Sequence, residues 1–114
     1  MAQITVRLVK RPPRRVVWIK PLYELEERGE WVSLGEHVLL KEGDSYSFDV
    51  PEGHRVIISY DWQTMVSYNR RRRPILGYAL RGFAKEGASP VYHRWLIGGE
   101  LSFENIKEAE LEEW

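Results

Sequence analysis

The sequence predicts an all-β fold, namely a single sandwich or barrel of about 8–10 short antiparallel strands, of jelly-roll or immunoglobulin-like kind. Three observations support this prediction. Apolar segments are short and recur at a spacing of roughly ten residues. Most breaks between them contain Gly or Pro. Within several segments apolar and polar residues alternate, which is the pattern of a strand with one buried face.

The alternation is clearest in the segment 38–62, VLLKEGDSYSFDVPEGHRVIISYDW. Apolar residues occupy every second position in 45–50 and again in 55–60, so both stretches are predicted as strands. The residues between them, Pro51-Glu52-Gly53-His54, favour a hairpin turn that joins the two strands, with Gly supplying the positive φ angle. Ile57 departs from the alternation and makes both faces of the second strand apolar.

The N-terminal third predicts strands over 3–9, 16–20, 22–27 and 31–34. Residues 11–14 (RPPR) form a stiff basic connector, because proline has no N–H to donate to a ladder. For the same reason Pro21 is expected to interrupt its strand, at a sheet edge or a bulge. A hairpin turn is expected at Arg28-Gly29-Glu30.

Beyond residue 62 the pattern is less even. Residues 61–68 have no clear period, 75–84 and 91–97 are predicted strands, and 101–103 is expected to pair back after a turn at Gly98-Gly99. The tail 104–114 is open to two interpretations. Its Glu and Ala content favours a short C-terminal helix, whereas its position after a hairpin favours a strand, which we prefer.

Length and composition predict one domain over 1–114. The chain is 43% hydrophobic and has a formal net charge of zero, although its first twenty residues are basic and its last fifteen acidic. It lacks Cys, a membrane-spanning apolar run and a signal-peptide pattern. We therefore expect a soluble protein, intracellular or particle-associated. Many charges with few thermolabile residues suggest a thermophilic source.

No catalytic motif is present. The three histidines, His37, His54 and His93, show no ligand spacing, and no nucleophile elbow or phosphate-binding loop occurs. We therefore expect no enzyme activity, no cofactor and no metal site.

The sharpest local feature is the run Arg70-Arg71-Arg72-Arg73, which must be exposed because four adjacent guanidinium groups cannot be buried without partners. Tyr68 and Tyr78 flank it, and Arg14 and Arg15 could extend the basic patch. Basic loops beside aromatic residues suit single-stranded nucleic acid. The same run could meet a protein partner, such as the acidic tail of a second copy.

Trp114 follows a run of Glu at the C-terminus. A terminal Trp is expected to be tied down, so Trp114 is predicted to anchor on a sheet or on a neighbouring molecule. The chain has five Trp residues in all. An exposed set of them would indicate carbohydrate binding, but their positions within strand patterns favour core packing.

These observations predict a non-enzymatic module that self-associates or docks on a larger assembly, for example as a virion coat, decoration or tail component. Its main partner would be protein, in an oligomer, with no membrane involved. The first alternative is a nucleic-acid-binding β-barrel that uses the Arg70–Arg73 loop. The second is a carbohydrate-binding β-sandwich.

Overall fold

A computed structural model describes residues 1–25, 29–64, 76–94 and 98–113. These residues form ten β-strands and no helix. In chain order the strands are β1 (Ala2–Lys10), β2 (Arg15–Glu24), β3 (Trp31–Ser33), β4 (Val38–Leu40), β5 (Ser45–Val50), β6 (Arg55–Thr64), β7 (Leu76–Ala84), β8 (Val91–Arg94), β9 (Glu100–Glu104) and β10 (Ile106–Glu113). The prediction of an all-β chain is therefore confirmed.

The strands form two antiparallel sheets. The four-stranded sheet has the order β5-β1-β9-β8. The six-stranded sheet has the order β10-β7-β6-β2-β3, and β4 also pairs with β2. Both sheets are open, so the predicted alternative of a closed barrel is wrong for the described residues. The radius of gyration is 13.7 Å, close to the roughly 13 Å expected of a compact chain of this length.

Side chains from both sheets share one core. Tyr60 of β6 lies with its ring 5.7 Å from that of Phe103 on β9, which joins the two sheets. Trp62 stacks on Tyr78 at 4.9 Å between ring centroids. Each large side chain buried in this way stabilises the fold by about 1.5–3 kcal/mol relative to exposure. The fully buried large residues are Trp62, Tyr60, Phe103, Ile4, Leu8, Ile19, Ile58, Leu80, Leu101, Val6 and Val17.

The turn predicted between the two central strands is present. The His54 N–H donates to the Pro51 carbonyl at 3.1 Å, and Gly53 has a φ of 83°. The predicted hairpin is wrong, however, because β5 and β6 do not pair: the turn carries the chain from β5 in one sheet to β6 in the other.

Pro21 does not interrupt its strand, contrary to the prediction. β2 is continuous through it, and Pro21 is buried opposite Ile58 of β6. Its carbonyl accepts a hydrogen bond from the Leu34 N–H at 3.0 Å, on the side away from β6. The nitrogen of the same residue faces that side too, so the missing N–H removes no bond to β6.

The possible C-terminal helix is also not formed, because Ile106–Glu113 is strand β10. It pairs with β7, with Leu111 opposite Leu80 and Ile106 opposite Ala84. Burial of Ile106 in the core and the ladder to β7 outweigh the helix propensity of the Glu and Ala residues. None of the described residues forms a helix that could span a membrane.

Candidate interaction surface

A groove of about 330 Å³ lies on the face of the six-stranded sheet that points away from the core. We call this face the outer face. The groove is lined by Leu22, Trp31, Ile57, Ser59, Ala79, Arg81 and Glu112, which come from five strands. Its volume falls at the lower end of the range for small ligand pockets, roughly 300–1,000 Å³.

Strand register brings these side chains together. Leu22 on β2 is opposite Ile57 on β6, and Ile57 is opposite Arg81 on β7. Ser59 on β6 is opposite Ala79 on β7. Because side chains alternate between faces along a strand, this set points outward while Val56, Ile58 and Tyr60 fill the core. The outer face is therefore apolar at its centre, where a solvated face would be polar.

Charged and aromatic side chains border the groove. The Arg81 Nε donates to Glu112 Oε2 at 2.6 Å across β7 and β10, and both side chains are exposed. Trp31 lies on β3, with 36% of its surface exposed. The groove thus has an ion pair on its β10 side and an exposed indole on its β3 side, with an aliphatic floor between them.

A buried carboxyl group lies on the same face. Asp61 is only 2% exposed. It is opposite Trp18 of β2 and Gly77 of β7 in the register. Its Oδ2 is 3.8 Å from Nε2 of the exposed His37, and its Oδ1 has no hydrogen-bond partner among the described residues. Burial raises the pKa of Asp61 to about 6.

Most of the predicted site residues are not placed. Tyr68, Arg70, Arg71, Arg72, Arg73 and Trp114 lie outside the described residues. Arg14 is exposed and has a φ of 60°. Arg15 begins β2 opposite Thr64, the last residue of β6. Of the predicted basic patch, the described part of the chain therefore contains only Arg14 and Arg15.

Tyr78 does not have the role that the nucleic-acid hypothesis gave it. It is 7% exposed and its ring stacks on both Trp62 and Tyr60. The pKa of its hydroxyl is raised, first by burial and then by the nearby Glu113. A ring held in the core in this way is not available to stack on a base.

The three histidines lie in separate surroundings. His37 is beside Asp61, the His54 Nδ1 is 3.0 Å from the Glu24 carbonyl, and the His93 ring contacts Phe103 edge-on. Among the described residues no three His, Asp or Glu side chains are grouped as metal ligands.

The groove residues were not predicted as a site, because they come from distant parts of the sequence. One signal was present, since Ile57 makes both faces of β6 apolar. Arg81 and Trp31 carry no local pattern that distinguishes them from core or surface residues.

Comparison with known proteins gives no relative. No protein-family model matches the chain, and no curated protein or solved structure matches it significantly. The surface of the molecule itself is therefore the basis for a functional assignment.

Proposed function

We propose that this protein is a non-enzymatic interaction module that self-associates or docks on a larger assembly, such as a virion coat, decoration or tail component. The observation that carries the proposal is the apolar floor of the outer face, where the side chains of Leu22 and Ile57 are only half-buried. When a partner covers apolar side chains on a sheet face, their burial stabilises the complex by about 25 cal/mol per Å² of apolar surface.

We further propose that the two sheets form a β-sandwich of the jelly-roll or immunoglobulin-like kind. The shared core supports this architecture, since Tyr60 and Phe103 contact each other from opposite sheets. A sandwich leaves the outer faces of both sheets free for binding while the core holds their shape.

The border of the groove suits a protein surface. Trp31 provides a large, rigid contact area, and aromatic residues are enriched at the centres of interfaces. Arg81 carries a positive charge and Glu112 a negative one. A partner whose charged or polar groups complement this pair would bind the aliphatic floor in one orientation. Zero net charge means that copies do not repel each other globally.

The test uses the double variant Leu22→Thr, Ile57→Thr. Thr is β-branched and therefore favours strands at both positions, and it replaces apolar surface with polar surface. Tyr92→Thr is the matched control, because Tyr92 is 63% exposed on β8 of the other sheet. Wild type and variants are compared by sedimentation equilibrium, alone and mixed with the purified large-particle fraction of the native source.

We expect binding of the wild type and of Tyr92→Thr to the large-particle fraction to exceed that of the double variant at least tenfold. The proposal is wrong if the wild type stays monomeric at all concentrations and sediments with no partner. Equal association of all three proteins would remove the outer face as the contact.

A second candidate function is carbohydrate binding at the same groove. It is favoured by one observation, that the exposed indole of Trp31 lines the same groove as Ser59 and the Arg81–Glu112 pair. Sugars stack on aromatic rings, and their hydroxyl groups can accept hydrogen bonds from Ser and Arg and donate them to a carboxylate. Calorimetric titration with an oligosaccharide panel tests it, with Trp31→Ala as the variant that should lose binding.

A further inference from the structure

The outer edge of β5 is regular and is left unpaired by the other described strands. β5 is the end strand of the four-stranded sheet. All six of its residues, Ser45–Val50, pair with β1 in an unbroken antiparallel register, from Ser45 opposite Arg7 to Val50 opposite Ala2. No other described strand pairs with it. Such an edge presents a row of backbone donors and acceptors to any strand that can reach it.

One hydrogen bond shows which groups point outward. The Leu8 N–H donates to the Asp44 carbonyl at 2.9 Å, in the same register as the β1–β5 ladder. Because bonded and non-bonded positions alternate in an antiparallel pair, Tyr46, Phe48 and Val50 direct their N–H and C=O groups to β1. The backbone groups of Ser45, Ser47 and Asp49 therefore point away from the sheet. Those three residues are all exposed.

The other described edges are less suited to pairing. β10 has a φ of 55° at Glu108 and a register shift between Lys107 and Glu110, so its ladder is irregular. Its side chains also include Glu110, Glu112 and Glu113, which would repel a second copy. β8 has four residues, and β3 and β4 have three each. Bulges, charges and short lengths are the features that protect edges from association.

We propose that β5 pairs antiparallel with β5 of a second copy of this chain, about a two-fold axis at Ser47. In this register Ser47 faces its own copy, and Ser45 faces Asp49 of the other chain. All the outward backbone groups of the three residues are then bonded. The like charges of the two Asp49 residues are kept apart, and each carboxylate lies beside a serine hydroxyl that can donate to it.

Pro51 favours this register over its neighbours. A shift that brings Pro51 into the ladder loses a donor, because proline has no N–H. A shift that centres the axis on Asp49 places the two carboxylates directly opposite each other, which is destabilising. The register centred on Ser47 avoids both.

The dimer would join the two four-stranded sheets into one continuous sheet and leave both outer-face grooves open. Two grooves on one rigid dimer can engage a repetitive assembly together, which raises the overall affinity without new contacts. This inference rests on the proposed function, since it names the self-association that the proposed function includes.

The main variant is Ser47→Pro, with Ser47→Val as its matched control. Both lose the exposed hydroxyl contact between Ser47 and Thr5, which is 3.0 Å long. Only proline also removes the outward N–H, and since that N–H makes no bond to β1 the monomer keeps its ladder. We expect Ser47→Pro to raise the dimer dissociation constant roughly tenfold to a hundredfold over Ser47→Val, because each copy loses a donor. Sedimentation equilibrium measures this, and circular dichroism checks folding.

Ser47→Cys gives a second measurement that does not depend on proline being tolerated. The chain contains no Cys, so oxidation can link only the introduced residues. Cα atoms of a bonded antiparallel pair are about 5.5 Å apart, within the range for a disulfide. We expect rapid disulfide-linked dimers from Ser47→Cys and few from the control Tyr92→Cys.

The outcomes separate the two proposals. Dimers that persist in Ser47→Pro, or equal cross-linking of Ser47→Cys and Tyr92→Cys, overturn the β5 interface and leave docking through the outer face intact. If the double variant Leu22→Thr, Ile57→Thr loses partner binding and Ser47→Cys still forms cross-linked dimers, both outer-face docking and the β5 dimer are supported. A wild type that is monomeric at every concentration overturns the dimer, while sedimentation with the particle fraction decides the proposed function on its own.

Discussion

The side-chain amide of Asn105 donates to the backbone carbonyl of Gln3 at 2.6 Å, which fixes the point where the chain leaves one sheet for the other. Asn105 lies between β9 and β10 with a φ of 63°. Its Oδ1 accepts from the Gly87 N–H at 3.0 Å. One side chain thus connects β1 to the loop after β7. Asn is among the few residues that adopt this φ at low cost.

Asn105→Ala should therefore lower the free energy of unfolding by about 2 kcal/mol, from two lost hydrogen bonds and the cost of the positive φ. Asn105→Gly removes the same bonds but tolerates the φ, so it should recover part of the loss. Urea denaturation of the three proteins measures the difference. Equal stability of Asn105→Ala and wild type would show that the side chain does not hold the junction.

Gly82 on β7 allows the backbone of β10 to pack closely against it. A Cβ atom there would overlap the Cγ2 of Ile106 and lie 3.0 Å from the Lys107 carbonyl oxygen. Gly82→Ala should destabilise the protein by about 1–3 kcal/mol, because the backbone of β10 would have to move. In an Ile106→Ala background, which lacks the Cγ2 atom, Gly82→Ala should still cost part of this stability, since the contact with the carbonyl oxygen remains. Thermal unfolding measures the cost of Gly82→Ala in both backgrounds, and no cost at all in the Ile106→Ala background would contradict the role of the backbone.

Much of the fold could be predicted from the sequence, because the physical signals are local. Alternation marked the segments 45–50 and 55–60, and Gly53 marked the turn between them. Pro21 was misjudged for a reason that no local pattern contains, since its effect depends on which neighbour its nitrogen faces. The C-terminal strand was ambiguous because the partner that stabilises it, β7, lies more than twenty residues earlier.

The candidate site was much harder to predict. Charge runs and termini drew attention to Arg70–Arg73 and Trp114, whereas the groove is assembled from strands that meet only after folding. Leu22 and Ala79 look like ordinary strand residues. Ile57, which makes both faces of its strand apolar, was the single local sign that the outer face would not be fully solvated.

His93 should limit stability in acid. Burial against Phe103 lowers the pKa of His93 below its ordinary value, and no group in the described part of the chain forms a hydrogen bond with its Nε2. Because the pKa of His93 is lower in the folded state, the folded protein favours the neutral ring. This contribution to the free energy of unfolding is complete above the unfolded pKa of about 6.5 and is lost as the pH falls below that value.

His93→Leu should therefore flatten the loss of stability between neutral pH and pH 5, because the replacement binds no proton in either state. Chemical denaturation at a series of pH values measures the slope. His54→Leu serves as the control, and an identical slope in His93→Leu and wild type would remove His93 as the cause.

Asp61 should have the opposite effect of pH. Its pKa of about 6 in the folded state lies above its ordinary value of 3.8, so the folded protein holds this proton more tightly than the unfolded chain does. The stabilisation is complete below pH 3.8 and is lost as the pH rises through 6. Above that pH the ionised carboxylate remains buried, with His37 as its one described ionic neighbour.

Asp61→Asn keeps the shape of the side chain and removes the charge. At pH 8 the variant should be more stable than the wild type by up to about 3 kcal/mol, and at pH 4 the two should differ little. Urea denaturation at both pH values measures the change, with Glu86→Gln as the exposed-carboxylate control. If the difference in unfolding free energy between Asp61→Asn and wild type did not vary with pH, the pKa of Asp61 would not be raised in the folded protein. Only a pKa that differs between the folded and unfolded states makes this difference depend on pH.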